Sequence, residues 1–202
     1  MPTYEYEEKF AAEGFAVIAG TDEAGRGPLA GPVCAAAVIL PAGLEIEGLN
    51  DSKKISEKKR EKLFDIICEK AISYGIAYAS VEEIDTLNIL NASQLAMRRA
   101  VEMLDPTPDL VLVDGNIARG FNCKAVTVIK GDSISMSIAA ASILAKVSRD
   151  RVCAELDKEY PQYLLSKHKG YSTKEHMDLV RKHGPSPIHR KTFLKFLDKT
   201  DG

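Results

Sequence analysis

The sequence predicts an α/β fold, a sheet with helices on its faces, on three grounds. Two strand-like runs near the start are followed by alternating helical and strand-like periods. Leu110-Val111-Leu112-Val113 is apolar at every position, as a strand covered on both faces must be. Separate strand-like runs end in carboxylates, at Asp22 with Glu23, at Asp114 and at Asp132, and sites in open α/β sheets gather at the carboxyl ends of strands.

Taken in order, Tyr4 to Ala12 reads as a short exposed helix. Phe15 to Thr21 and Val33 to Leu40 read as two strands, and in the second Cys34-Ala35-Ala36-Ala37 is so small that neighbouring elements must approach it closely. Asp51-Ser52-Lys53-Lys54 opens a polar loop, and Ser56 with Lys59, Leu63, Ile66 and Ile67 predicts an N-capped amphipathic helix. Ala71 to Ala79 is a third strand whose register Gly75 leaves open. A helix from about Asn88 to Leu104 ends at Pro106 and Pro108. Leu110 to Val113 and Ala125 to Ile129 are the next strands. A helix from near Ser135 towards Leu156 begins with alanine-rich turns suited to tight packing on a sheet. Beyond Pro161 two short helices are expected, roughly Thr173 to His183 and Arg190 to Leu197, separated by Gly184-Pro185-Ser186-Pro187. The length suits one compact unit, divided into a core over 1–160 and a basic helical segment over 161–202.

The 202 residues carry a net charge of −2, with 45% hydrophobic and 28% charged residues, an ordinary balance for a globular chain. The charge is unevenly placed. From Tyr160 to Gly202 nine basic residues, Lys199 among them, stand against four acids that include Asp201, a net +5 that leaves −7 on the rest. His168, His176, His183 and His189 all lie in this basic part. An acidic body with a basic appendage suits a metal-dependent enzyme acting on a polyanion. Cys34, Cys68, Cys123 and Cys153 are widely spaced with no zinc-like pattern, which points to reduced thiols and a cytoplasmic location. The first residues are acidic, and no apolar run approaches the roughly 20 residues that span a bilayer, so neither export nor membrane insertion is expected. A monomer is the expected state.

The stretch Gly20-Thr21-Asp22-Glu23-Ala24-Gly25-Arg26-Gly27-Pro28-Leu29-Ala30-Gly31-Pro32 sets two acids and an arginine among glycines at the end of a buried strand. Such charges are costly to desolvate unless paired. A divalent cation is one partner and Arg26 another, so the stretch alone also reads as an acidic turn. Asp114-Gly115-Asn116 likewise reads as a ligand-bearing strand end or an ordinary turn, and Asp132-Ser133 as a ligand or a helix cap. Convergence of three or four carboxylates favours a hard cation, and oxygen ligands without histidine or cysteine select Mg²⁺ or Mn²⁺ over Zn²⁺. Neighbours on a regular strand point to opposite faces, so Asp22 and Glu23 join one site only if the backbone breaks regularity, which Gly25 and Gly27 allow. Asp150 competes for the fourth place but lies four residues after Lys146, where an ion pair accounts for it.

Backbone amides near Gly25, Arg26 and Gly27 suit a phosphate or a closely approached sugar. No Lys-Ser/Thr pair follows the glycines, which excludes a P-loop nucleotide triphosphatase. Lys53, Lys54, Lys167, Lys169 and Arg190 are candidate phosphate contacts, and Tyr171 is a candidate stacking residue.

Asp22-Glu23-Ala24-Gly25-Arg26-Gly27-Pro28-Leu29-Ala30-Gly31-Pro32, Asn50-Asp51-Ser52-Lys53-Lys54, Val113-Asp114-Gly115-Asn116, Lys130-Gly131-Asp132-Ser133, Ala140 to Val147 with Arg149-Asp150, and His168-Lys169-Gly170-Tyr171 with Thr173 together resemble, in order, the signature blocks of bacterial ribonuclease HII. The resemblance spans nearly the whole chain. It implies a ribonuclease H-like mixed sheet flanked by helices, with a helical C-terminal segment that helps clamp a duplex. It implies endonucleolytic hydrolysis of RNA in RNA/DNA hybrids, and incision on the 5′ side of a single ribonucleotide in duplex DNA, with two divalent cations, Mg²⁺ or Mn²⁺. Position by position, Asp22, Glu23, Asp114 and Asp132 match the family's metal-binding carboxylates. Gly25, Arg26 and Gly27 match its loop that senses the ribose 2′-hydroxyl, and Tyr171 matches the tyrosine that stacks on the sugar at the DNA/RNA junction.

Two other classes compete. A non-catalytic nucleic-acid-binding module would use the basic segment but gains nothing from acids at three strand ends. A different metal-dependent phosphotransferase or phosphatase would act on a small phosphate ester, and offering one exposes it.

Overall fold

The structure, a computed structural model, describes residues 1–198, so Lys199 and Asp201 lie outside the described residues. Five strands, β1 (Ile18–Ala24), β2 (Val33–Ile39), β3 (Ser73–Ala79), β4 (Leu110–Asp114) and β5 (Lys124–Val128), form one sheet in the order β3-β2-β1-β4-β5. β2 is antiparallel to β1 and β3, while β4 is parallel to β1 and β5, which makes the sheet mixed. The helices are α1 (Glu5–Ala12), α2 (Glu57–Lys70), α3 (Val81–Leu87), α4 (Ile89–Glu102), α5 (Met136–Glu159), α6 (Leu165–His168) and α7 (Lys174–His183). None of them is long and apolar enough to cross a membrane.

The small residues of β2 explain how both faces are covered. Side chains alternate along a strand, so Ala35 and Ala37 meet Ala92, Ala96 and Ala100 of α4 on one face. Ala36 and Val38 meet Ala139, Ala140, Ala141 and Ala145 of α5, with Leu63 and Ile67 of α2, on the other. Alanine against alanine lets helix and sheet approach closely at interior packing density. Gly20 extends the same logic: a Cβ there would collide with the backbone of Ser137 and Ile138, so the first turn of α5 lies directly on β1. Gly75, whose Cβ would meet the Ala100 carbonyl of α4, pairs with Ala37, which settles the register of β3.

Several local expectations are corrected. β1 starts later than Phe15 and runs on through Asp22 and Glu23 to Ala24. α3 precedes the expected Asn88–Leu104 helix, and its signal was legible: Ser80 and Glu83 form a reciprocal capping box. Ser56 sits at the start of α2 without a side-chain cap bond. α1 is more than an exposed helix, because Phe10 is buried and the Glu7 carboxylate accepts bonds from the Ser135 and Ser137 hydroxyls at 2.6 Å, tying it to the start of α5. Arg190 to Leu197 forms two 3-10 turns, Lys191–Phe193 and Lys195–Leu197, in place of an α-helix. The Lys191 and Thr192 amides donate to Asp85 at 2.9 and 3.0 Å, so a tertiary contact dictates the local conformation.

The basic segment builds its own small core, and that core includes the loop after β1. Leu29 and Ala30 pack with Tyr163, Leu165, Val180, Ile188 and Leu194. The loop is stitched to the segment by backbone bonds from Leu29 to the Gly170 carbonyl and from Gly31 to the Ile188 carbonyl, both 2.8 Å. The glycine-rich loop and the basic segment are therefore positioned together.

Candidate active site

β1 and β4 run parallel only as far as the pair Thr21–Val113, and the next residue on each is an aspartate. Strand alternation puts Asp22 and Asp114 on the same face, that of α5, because Leu110 and Leu112 of β4 pack there with Ile138. Asp22 is buried, and burial first, then the charges of Glu23 and Asp114, hold its carboxyl well above the usual aspartate range. Burial also raises Glu23, against the pull of Arg26, and Asp114 adds to the rise. The ladder with β2 stays regular through Asp22–Ala36, Glu23–Ala35 and Ala24–Cys34, so the expected break in β1 does not occur. Instead the pairing of β1 with β4 stops at Thr21–Val113, and beyond Thr21 that edge of β1 is open, so side chains from both faces can meet at the rim.

Asp132 arrives from the 3-10 turn Gly131–Ser133 after β5. The Gly131 amide donates to Asp114 Oδ1 at 2.6 Å, which docks this turn on the end of β4. Burial, Asp114 and Asp51 raise the Asp132 carboxyl, and Lys53 opposes them from 3.8 Å. Asp51 is thus a further acid at the rim that sequence reasoning missed as a site residue, although it stood in the Asn50–Lys54 block. Ser142 of α5 lies beside the Asp22 carboxylate, with its Oγ 2.8 Å from Ser52 Oγ. Asp150 belongs elsewhere, paired with Lys146 at 2.6 Å and Arg60 at 3.9 Å.

Each rim acid has found a separate protein partner. Asp22 accepts from the Glu23 amide at 2.7 Å, Glu23 pairs with Arg26 at 3.2 Å and Asp132 with Lys53. Among the described residues no three His, Cys, Asp or Glu side chains already converge as a finished ligand set. The donor set is nonetheless all hard oxygen and short of positive charge, the chemistry that fits Mg²⁺ or Mn²⁺. Arg26 and Lys53 are exposed and on long stems, free to move aside for an ion.

Gly25 adopts φ +97°, and a Cβ there would overlap the side chain of Arg149, which lies buried directly beneath the loop. Gly27 faces Tyr171, whose Cε1 would be 3.7 Å from a Cβ at that position. Tyr171 is 42% exposed, with the Arg149 guanidinium 5.7 Å from its ring centroid. The loop and this aromatic surface are therefore neighbours. Lys54 pairs with Asp51 at 3.6 Å, Lys167 with Glu175 at 2.6 Å, and Lys169 with Glu57 at 3.7 Å. Arg190 corrects the expectation of a phosphate contact: it is fully buried, with its guanidinium spent on backbone carbonyls of the 25–32 loop.

Behind Tyr171 lies a chain of buried histidines. The Ser186 amide donates to His189 Nδ1 at 3.1 Å, which leaves Nε2–H of His189 to donate to His176 Nε2 at 3.2 Å. Nδ1–H of His176 then donates to the Tyr171 carbonyl at 3.0 Å. Every member must be neutral for this order of donors to hold. Burial lowers His168 and His176 and takes His189 down to about 4, with the neighbouring His176 adding to the effect. The unfolded chain, with histidines near 6.5, binds the protons first, so this contribution is full above about pH 6.5 and lost as pH falls towards 4. The wild type should lose on the order of 1 kcal/mol more stability between pH 7.5 and 5 than His189→Gln. Urea midpoints across that range check it, and parallel curves would remove His189 as the sensitive group.

The family model described as Ribonuclease HII matches residues 19–196. A Ribonuclease HII from Ruminiclostridium cellulolyticum is 57% identical over 190 residues, covering 94% of this chain and 74% of that protein. One from a Marinomonas species is 59% identical over 178 residues, covering 88% of this chain and 89% of that protein. Among solved structures, ribonuclease H2 from Pyrococcus horikoshii superposes with a TM-score of 0.73 at 26% identity, over 91% of this chain and all of that one.

Proposed function

The chain belongs to the ribonuclease HII family and is a ribonuclease that hydrolyses RNA in RNA/DNA hybrids, and from that premise we propose that it also incises on the 5′ side of a single ribonucleotide embedded in duplex DNA. Asp22, Glu23, Asp114 and Asp132 hold two Mg²⁺ or Mn²⁺ ions in this reading. The observation that carries it is the burial of Asp22 against Glu23 and Asp114 at adjoining strand ends, a concentration of negative charge that a fold without a cation would avoid.

Bound there, the ions would supply Lewis-acid stabilisation of the attacking and leaving oxygens of an in-line displacement that leaves 5′-phosphate and 3′-hydroxyl ends. The chain's own residues do the reading. Gly25 and Gly27 let the backbone come close enough to sense a ribose 2′-hydroxyl, the group that tells RNA from DNA at one position. Arg26, Lys53, Lys54 and Lys169 border this surface and position the backbone phosphates. Tyr171 offers an exposed ring beside Gly27 on which the junction sugar rests. The segment 161–198 carries Tyr171 and acts with the core over 1–160 as a clamp. The four cysteines are free, which fits a reducing, cytoplasmic setting, and a monomer suffices for every contact named.

A duplex with one ribonucleotide, incubated with Mg²⁺ or Mn²⁺ and then with chelator, tests the reading. One nick 5′ of the ribonucleotide, abolished by chelation, is expected, whereas cleavage of a small phosphate ester alone would contradict it. Tyr171→Ala should cost about 1–3 kcal/mol in kcat/KM on the single-ribonucleotide duplex and less on a long hybrid, where neighbouring riboses offer other registers. Equal losses on both would take Tyr171 out of the junction.

A further inference from the structure

We infer that Arg190 is a positioning residue, one that locks the ribose-facing backbone of the 25–32 loop from beneath and touches no phosphate. The inference rests on the proposed role of that loop and adds the device that holds it in shape. Arg190 Nε donates to the Gly31 carbonyl at 2.9 Å and Nη1 to the Arg26 carbonyl at 2.9 Å. Nη2 donates to the Gly25 carbonyl at 2.6 Å and the Pro32 carbonyl at 3.2 Å. Gly25 and Arg26 begin the loop, and Gly31 and Pro32 end it. One planar group therefore ties both ends together across the chain reversal. A guanidinium alone has the five fixed donors such a grip needs, since an ammonium presents its three at a single point.

Residue 190 is itself held in place. Its amide donates to the Leu29 carbonyl at 2.8 Å, and the guanidinium lies 5.2 Å from the Phe193 ring centroid. Arg149 reaches the same loop from α5, with Nη2 donating to the Ala30 carbonyl at 3.3 Å and Nη1 to the Lys169 carbonyl at 3.0 Å. Burial, with Arg149 close by, lowers Arg190 to about 9, so the cation is kept at a cost that the loop carbonyl dipoles help to offset. No carboxylate forms an ion pair with either arginine among the described residues, which leaves backbone carbonyls as their partners, and for Arg190 all four belong to the loop.

The consequence is kinetic. A backbone that must meet a sugar within a fraction of an ångström loses about 100-fold in rate when it shifts by about 1 Å. Arg190→Lys and Arg190→Gln should each lower kcat on a single-ribonucleotide duplex about 100-fold with KM nearly unchanged. Affinity for an all-DNA duplex, measured without metal, should keep the wild-type slope against log salt, and amide exchange at 25–31 should quicken. A side chain bound to a phosphate would instead raise KM and reduce that slope by about 1. That pattern, or wild-type kcat in both variants, overturns the inference. So does failure of both variants to fold, because a positioning residue leaves a folded enzyme with a misplaced loop. If the wild type itself does not cleave, the parent reading falls, and the salt slope and amide exchange still decide what Arg190 does.

Discussion

Asp114→Asn is expected to lower turnover on a single-ribonucleotide duplex by about 10³-fold or more in saturating Mg²⁺, corresponding to roughly 4 kcal/mol of lost transition-state stabilisation. Asn keeps the shape and an oxygen that can accept from the Gly131 amide, so the docking of the 131–133 turn survives. What disappears is one negative charge at the end of β4, beside Asp22 of β1. The neighbouring Asp22 carboxyl is raised partly by that charge, so neutralising Asp114 also removes a repulsion from the folded state. Thermal stability should therefore be unchanged or slightly higher while activity collapses. That combination separates a functional acid from a structural one. Turnover within tenfold of wild type would take Asp114 out of the metal site.

Gly20→Ala is expected to cost about 3–5 kcal/mol in stability, at the upper end of what a single added methyl does. Gly20 pairs with Val38 on one side and Leu112 on the other, so β1 is hemmed in by both neighbours. Above it the obstacles are backbone atoms of Ser137 and Ile138, which no rotamer change can move aside. The start of α5 would have to lift, and with it the Glu7 ties to Ser135 and Ser137. Ser142, one and a half turns further along α5, would retreat from Asp22, so activity should fall even where the variant remains folded. Urea midpoints measure the first effect and kcat at low temperature the second. A midpoint matching wild type would mean that α5 has room over β1.

Much of the fold was legible because local chemistry and the sheet agree. The apolar run 110–113, the alanines of β2 and the Ser135 start of α5 each take their form from residues next to them in sequence, and each appears where its pattern places it. The failures share a cause. Lys191 and Thr192 surrender their amides to Asp85, more than a hundred residues away, and a helix predicted from spacing becomes two tight turns. Glu23 was expected to need a broken strand, when it is the pairing between β1 and β4 that stops and frees the rim. Arg190 reads as one more basic residue in a basic segment, because nothing near it in sequence announces that its donors are spent on a loop some 160 positions earlier.

The residue types alone determined the family and the α/β layering, since motif spacing and side-chain period are properties of the chain itself. Tertiary structure alone decided which charges face solvent and which are buried. Burial and partner choice depend on what lies across space, so Lys53 stands among the acids, Asp51 joins them, three histidines are buried together, and Arg190, read from the sequence as a candidate phosphate contact, lies beneath the 25–32 loop.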